Sequence, residues 1–271
     1  MSKKSKSKTT QSLAKTLLVV LILCLWVVAC VVAVQFILGY IMLLILGADT
    51  LNQPVWLAIY SVLSYVLSGA LIILVPTKVW TKKGLGKRAK KKSFDSPDDL
   101  LDMDATRSGL GLTDLPTWTD IGLSPVGFIV AMMLASGLIL LFSNFSWFDA
   151  NQTQYIGFGL YMSSFERVVA YLALAVFAPF AEEVIFRGWL YGMLREKLSS
   201  LPEWAGIIIS IIITSIMFGL VHMQWNVGVI VFALSVVACA MREITGTIYA
   251  GILTHIIWNT IAFFQLYVFI A

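Results

Sequence analysis

The chain has 271 residues, 59% of them hydrophobic and 13% charged, with a formal net charge of +4. Soluble globular domains carry about 25% charged and about 45–50% apolar residues. The composition therefore excludes a disordered chain and almost any water-soluble enzyme, and points to lipid as the solvent.

Stretches free of Asp, Glu, Lys and Arg mark candidate spans, each needing roughly 20 mostly apolar residues. Thr16 to Ala48, Thr50 to Thr77 and Ile121 to Phe148 are three such stretches. Val168 to Ala181 is shorter, and reaches spanning length only by continuing through Glu182, Glu183 and Arg187. Trp204 to Met241 is broken only by His222, and can hold two short helices turning near Gln224-Trp225-Asn226. Ile244 to Ala271 is broken only by His255. The expected fold is all-α, a polytopic transmembrane bundle of about seven spans (six to eight). These are placed at 17–46, 55–76, 124–143, 168–190, 205–223, 226–241 and 246–268. The basic start MSKKSKSKTT resembles a signal-peptide n-region. The apolar run behind it exceeds the usual h-region of about 7–15 residues and has no small-residue cleavage site, so it reads as an uncleaved first span. Cys24, Cys30 and Cys239 lie in apolar stretches without Cys-x-x-Cys spacing and read as buried thiols.

Lys and Arg set the orientation. Of the 19 basic residues, 13 lie in the N-terminal tail (Lys3, Lys4, Lys6, Lys8, Lys15) and in the stretch from Lys78 to Lys92. With Arg195, Lys197 and Arg242 they share one side if the N-terminus is cytoplasmic. The opposite loops hold only Asp49, Asp149, Glu166 and Arg167. The polar loop from 77 to 123 is basic first and acidic later (Asp95, Asp98, Asp99, Asp102, Asp104). Its basic half suits anionic head groups, but the favoured reading is an orientation signal plus a solvated linker. Asn144-Phe145-Ser146 and Asn151-Gln152-Thr153 are glycosylation sequons, relevant only in a secretory-pathway host. The domain reading is two N-terminal helices plus this loop over 1–120, followed by a helix bundle over 121–271.

Ionisable groups within a bilayer are costly and mark candidate function. In Pro179-Phe180-Ala181-Glu182-Glu183-Val184-Ile185-Phe186-Arg187, Glu183 and Arg187 are spaced i,i+4 and can pair on one helix face. Glu182 points about 100° away and lacks that partner. Pro179 suits a helix start or kink. A packing ion pair would explain Glu183 and Arg187 but not a second carboxylate. Phe218 lies one turn before His222 on the same face, and His222 alone could be an interfacial hydrogen-bonding residue. His255 and Asn259 are again i,i+4, a spacing that also suits an interhelical polar clamp worth about 1 kcal/mol. Arg242-Glu243-Ile244-Thr245-Gly246 reads as a structural turn, with Thr245-Gly246 opening the last helix.

The two histidines are the only ones in the chain and can meet the glutamates only inside a helix bundle. Carboxylate and imidazole together can activate a water, and an imidazole with an amide can stabilise an oxyanion. These residue types point to hydrolysis of a carbonyl compound within the membrane. A zinc site built from two histidines and a glutamate is the rival, although no His-Glu-x-x-His occurs. Glu-x-x-His repeats for a di-iron centre, Gly-x-Ser-x-Gly, and an Asp within any expected span are also absent.

Glu182-Glu183-x-x-x-Arg187, Phe218-x-x-x-His222 and His255-x-x-x-Asn259, in that order, resemble the three motifs of the CPBP (Abi) intramembrane proteases. That family includes the type II CAAX prenyl endopeptidase and bacterial bacteriocin-processing and self-immunity proteins. The run from Thr245 to His255 is similar to the family's approach to its last motif, and the resemblance covers about 165–265. It implies a metal-independent glutamate endopeptidase without cofactor, acting on a peptide or membrane-protein tail in the lipid bilayer, with no nucleic acid involved. It further implies that Glu182 and His222 activate water, that His255 and Asn259 stabilise the oxyanion, and that Glu183 and Arg187, with Phe218, support the site. The expected location is the cell membrane, as a multi-pass integral protein. The alternative is a non-catalytic regulator or immunity protein acting on a membrane sensor such as a kinase. One strain remains in the layout: Glu182 falls mid-span while His222 falls at a span end.

Overall fold

The computed structural model describes residues 3–82, 110–112, 115–149, 158 and 162–269, with side chains not described for 3–13, 51, 77–82 and 269. The basic and acidic stretch from Lys83 to Asp104 and the sequon at Asn151 lie outside the described residues. The rest is helical, with no strand among the described residues. The helices are α1 (Lys3–Leu46), the single turn α2 (Ala48–Leu51), α3 (Pro54–Lys82), α4 (Trp118–Phe142), α5 (Ser164–Lys197), α6 (Glu203–Val221), α7 (Trp225–Thr245) and α8 (Tyr249–Val268). Seven of them, all but α2, are long and apolar enough to cross a membrane. Helices satisfy every backbone polar group internally, which is why they are tolerated in lipid. The protein is a multi-pass membrane protein.

Two expected boundaries move outward. Thr117 caps α4, accepting from the Asp120 N–H, while the Asp120 carboxylate accepts from the Thr117 N–H at 2.8 Å. Ser163 caps α5 in the same reciprocal way with Glu166. These capping boxes satisfy the first free N–H groups of each helix. Asp120 is thus a fully buried group inside a span, where none was expected, and it also accepts from Thr247 Oγ1 at 2.8 Å. The α7–α8 turn differs as well. Arg242 to Thr245 belong to α7, and Gly246 (φ +77°) closes that helix with its N–H on the Arg242 carbonyl at 2.9 Å. The left-handed conformation favours glycine there. The last helix restarts at Tyr249, so Gly246 ends one helix and does not open the next.

Small residues set the packing. On α4 the buried face is Ser124, Gly127, Ala131 and Ala135, which lets α7 and α8 come close. On α6 it is Gly206, Ser210, Thr214 and Phe218, one turn apart each time and leading to His222. Gly219 of α6 and Gly228 of α7 meet backbone to backbone. Helix α1 buries Val20, Leu23, Cys24, Val27 and Cys30 in one core with Ile72 of α3, Ile185, Phe186 and Trp189 of α5, and Phe218 of α6. The N-terminal helices and the motif-bearing helices therefore share a core. All three cysteines are free and buried.

Candidate active site

Helix α5 carries the glutamates on a modified backbone. A π-helical segment, Leu172–Phe177, precedes the α-turn Ala178–Glu183, and a second, Val184–Leu190, follows it. Such insertions cluster at functional sites because they re-aim side chains. Pro179 accounts for part of the first. In a π-turn, the Leu174 carbonyl would accept from the N–H of residue 179, which proline lacks. Asn259 Nδ2 of α8 donates to that carbonyl instead, at 2.9 Å.

Glu183 and Arg187 form the expected pair, Nη1 to Oε1 at 2.9 Å, and neither side chain has any exposed surface. The guanidinium also lies 4.3 Å over the Phe218 ring. The same Glu183 oxygen stands 3.0 Å from His255 Nδ1. A carboxylate only accepts, so Nδ1 carries hydrogen there. Gly251 gives Glu183 room, since a Cβ at that position would sit 3.0 Å from Oε2.

His255 faces Glu182 with its other nitrogen, Nε2 to Oε2 at 3.7 Å. The imidazole is thus held between two carboxylates, oriented by one and presented to the other. The second oxygen of Glu182 accepts a hydrogen bond from the Tyr65 hydroxyl of α3. Sequence reasoning missed Tyr65, which sits in a span with no charged neighbour to draw attention to it.

His222 caps α6, and its Nδ1 is 2.8 Å from the Phe218 carbonyl. A carbonyl only accepts, so Nδ1 is the protonated nitrogen and Nε2 of the neutral ring is an acceptor. The turn that ends the helix passes through Met223 at φ +55°, an uncommon conformation for a non-glycine residue. The Phe218 ring lies 5.0 Å from that of His222 and 5.8 Å from that of His255, edge to face, so it spaces the two imidazoles.

Glu182, His222, His255 and Asn259 all line one cavity of about 380 Å³. It runs from the buried glutamate to the α6–α7 turn at Met223. The offset between Glu182 and His222 along their helices is bridged by this shared cavity. One wall is hydroxylic, from Tyr60, Ser61, Ser64, Tyr65 and Ser68 of α3. Trp258, Phe263 and Leu266 add apolar lining. Glu183 and Arg187 stand behind the cavity and not in it. Arg242 and Glu243 lie elsewhere: Glu243 accepts from Tyr191 at 2.6 Å and pairs with Arg195 at 2.7 Å. Among the described residues, no three His, Cys, Asp or Glu side chains are arranged to hold a metal ion.

Residues 163–261 match the family model described as type II CAAX prenyl endopeptidase Rce1-like. The motif-bearing segment is thus Rce1-like, in line with the CPBP resemblance of its motifs, and indicates a CAAX-type protease with a peptide or protein substrate at a membrane. No curated protein and no solved structure matches the chain.

Proposed function

We propose, from the Rce1-like character of residues 163–261, that the protein is an intramembrane endopeptidase that hydrolyses a peptide bond with a water activated by Glu182. The observation that carries this reading is the convergence of Glu182, His222, His255 and Asn259 on one cavity inside the bundle. Glu182 takes a proton from the water, whose other contact is the acceptor Nε2 of His222. Hydroxide attacks the scissile carbonyl and the charge develops on its oxygen. His255 and the second N–H of the Asn259 amide are the donors for that oxyanion. Because Nδ1–H of His255 is committed to Glu183, donation from Nε2 requires the imidazolium form. Glu182, now protonated, returns the proton to the leaving amine. Glu183, Arg187 and Phe218 hold His255 and His222 in place. The reaction as written uses no metal or cofactor. The placement of Lys and Arg supports a cytoplasmic N-terminus, and the cell membrane is the location proposed.

The test uses purified protein in proteoliposomes and a fluorogenic farnesylated CAAX peptide. Glu182→Ala and His222→Ala should each abolish cleavage, and activity should survive a chelator. Undiminished cleavage by both variants refutes the mechanism. Loss of activity to the chelator with recovery on zinc would transfer the chemistry to a metal. Cells carrying Glu182→Ala should accumulate uncut membrane peptides. Unaltered peptides with the biological phenotype intact would favour a binding role instead.

A further inference from the structure

We infer that Tyr65 of α3 is a positioning residue for the glutamate base, so that the site is completed from outside the Rce1-like segment 163–261. The inference rests on the reading of Glu182 as base.

Glu182 is 8% exposed on the cavity wall. Arg187 is engaged with Glu183. The groups facing Glu182 are Tyr65 from α3 and His255 from α8, and His222 lines the same cavity. Tyr65 donates to Oε1, while Oε2 faces His255 Nε2 at 3.7 Å. Fixing one oxygen fixes the plane of the carboxylate. The other oxygen is then directed at the histidine and at the space where the water would lie.

The position of Tyr65 is itself determined by close packing. One turn further along α3, Gly69 faces Ile185 of α5, where a Cβ would stand 3.8 Å from the Ile185 side chain. Ile72 of α3 is fully buried in the core with Ile185 and Phe186. Helix α3 is therefore held against the stretch of α5 that carries Glu182. Toward the start of α3, Tyr60 donates to the Gln35 carbonyl of α1 at 2.9 Å and ties the two N-terminal helices together. A tyrosine held in this way loses little freedom when it makes the bond.

The experiment is Tyr65→Phe, which removes one oxygen and keeps the ring, assayed with the farnesylated CAAX peptide in proteoliposomes beside Glu182→Gln. A hydrogen bond to a charged group is lost, so kcat should fall about 10- to 100-fold with KM within about twofold of wild type. Thermal stability in detergent should be close to wild type, and Tyr65→3-fluorotyrosine, which keeps the hydroxyl, should restore turnover. A wild-type kcat, or a loss carried wholly by KM, overturns the inference. Glu182→Gln with full activity overturns the base reading as well. Glu182→Gln inactive with Tyr65→Phe fully active overturns the role of Tyr65 alone. An infrared measurement needs no turnover: with labelled glutamate, the carboxylate band lost in Glu182→Gln should shift in Tyr65→Phe. An unmoved band overturns the inference whether or not the peptide is cleaved.

Discussion

Arg187→Met tests the support beneath the site. The substitution keeps an unbranched apolar chain of similar reach and removes the guanidinium. Glu183 then remains as a carboxylate with no exposed surface and only His255 beside it. An exposed ion pair would be worth about 0.2–1 kcal/mol. Removing one partner of a buried pair costs about 3–5 kcal/mol, because the remaining charge is stranded. Zero exposure of both side chains places this pair in the second class. The guanidinium over the Phe218 ring, at 4.3 Å, is lost in the same step, and its contribution falls within that range. The assay is unfolding in mixed micelles with increasing SDS, run on Arg187→Met, Glu183→Leu and the double variant. Replacing both partners by apolar groups of similar size is often close to neutral. The double variant should therefore be more stable than Arg187→Met alone, yet remain inactive because His255 has lost the oxygen that orients it. A shift below about 1 kcal/mol for Arg187→Met, or a double variant equal to the sum of the singles, would refute the reasoning.

Asn259→Ala leaves the Leu174 carbonyl without its donor and should cost about 1–3 kcal/mol in the same unfolding assay. Adding Pro179→Ala supplies a backbone N–H to that turn and should recover part of the stability, while no recovery would argue against the proline account. Gly219→Ala puts a Cβ 2.8 Å from the Gly228 carbonyl oxygen, closer than helices tolerate. The α6–α7 contact must open and carry His222 with it, so cleavage should drop by about tenfold or more; unchanged cleavage would show that His222 does not need this contact.

The spans were legible because an absence of charge over roughly 20 residues has one physical explanation, lipid. The glutamates and histidines stood out for the complementary reason, that ionisable groups are rare in that solvent. The i,i+4 pairing of Glu183 and Arg187 followed from helix geometry alone. The starts of α4 and α5 could also have been read, since Thr117-Trp118-Thr119-Asp120 and Ser163-Ser164-Phe165-Glu166 are capping-box sequences. Tyr65 could not. A tyrosine in a membrane helix is common, and its significance is only that α3 packs where it reaches Glu182. The π-segments of α5 were equally hidden, because an extra residue per turn leaves no hydrophobic signature in a helix that is apolar around most of its surface.

The low charge and its exceptions determined what solvent the chain lives in and which residues are costly there. Tertiary structure decided which faces meet. In water, a buried face announces itself by a 3.6-residue alternation of apolar and polar groups. In lipid both faces are apolar, as on α1, where Leu21 and Leu25 are exposed while Leu23 and Val27 are buried. The choice between them is made by shape: glycines that let Gly219 meet Gly228 and let α8 lie against Glu183, and a tyrosine that closes onto Glu182. Those contacts join residues far apart in the chain, and only the folded bundle brings them together.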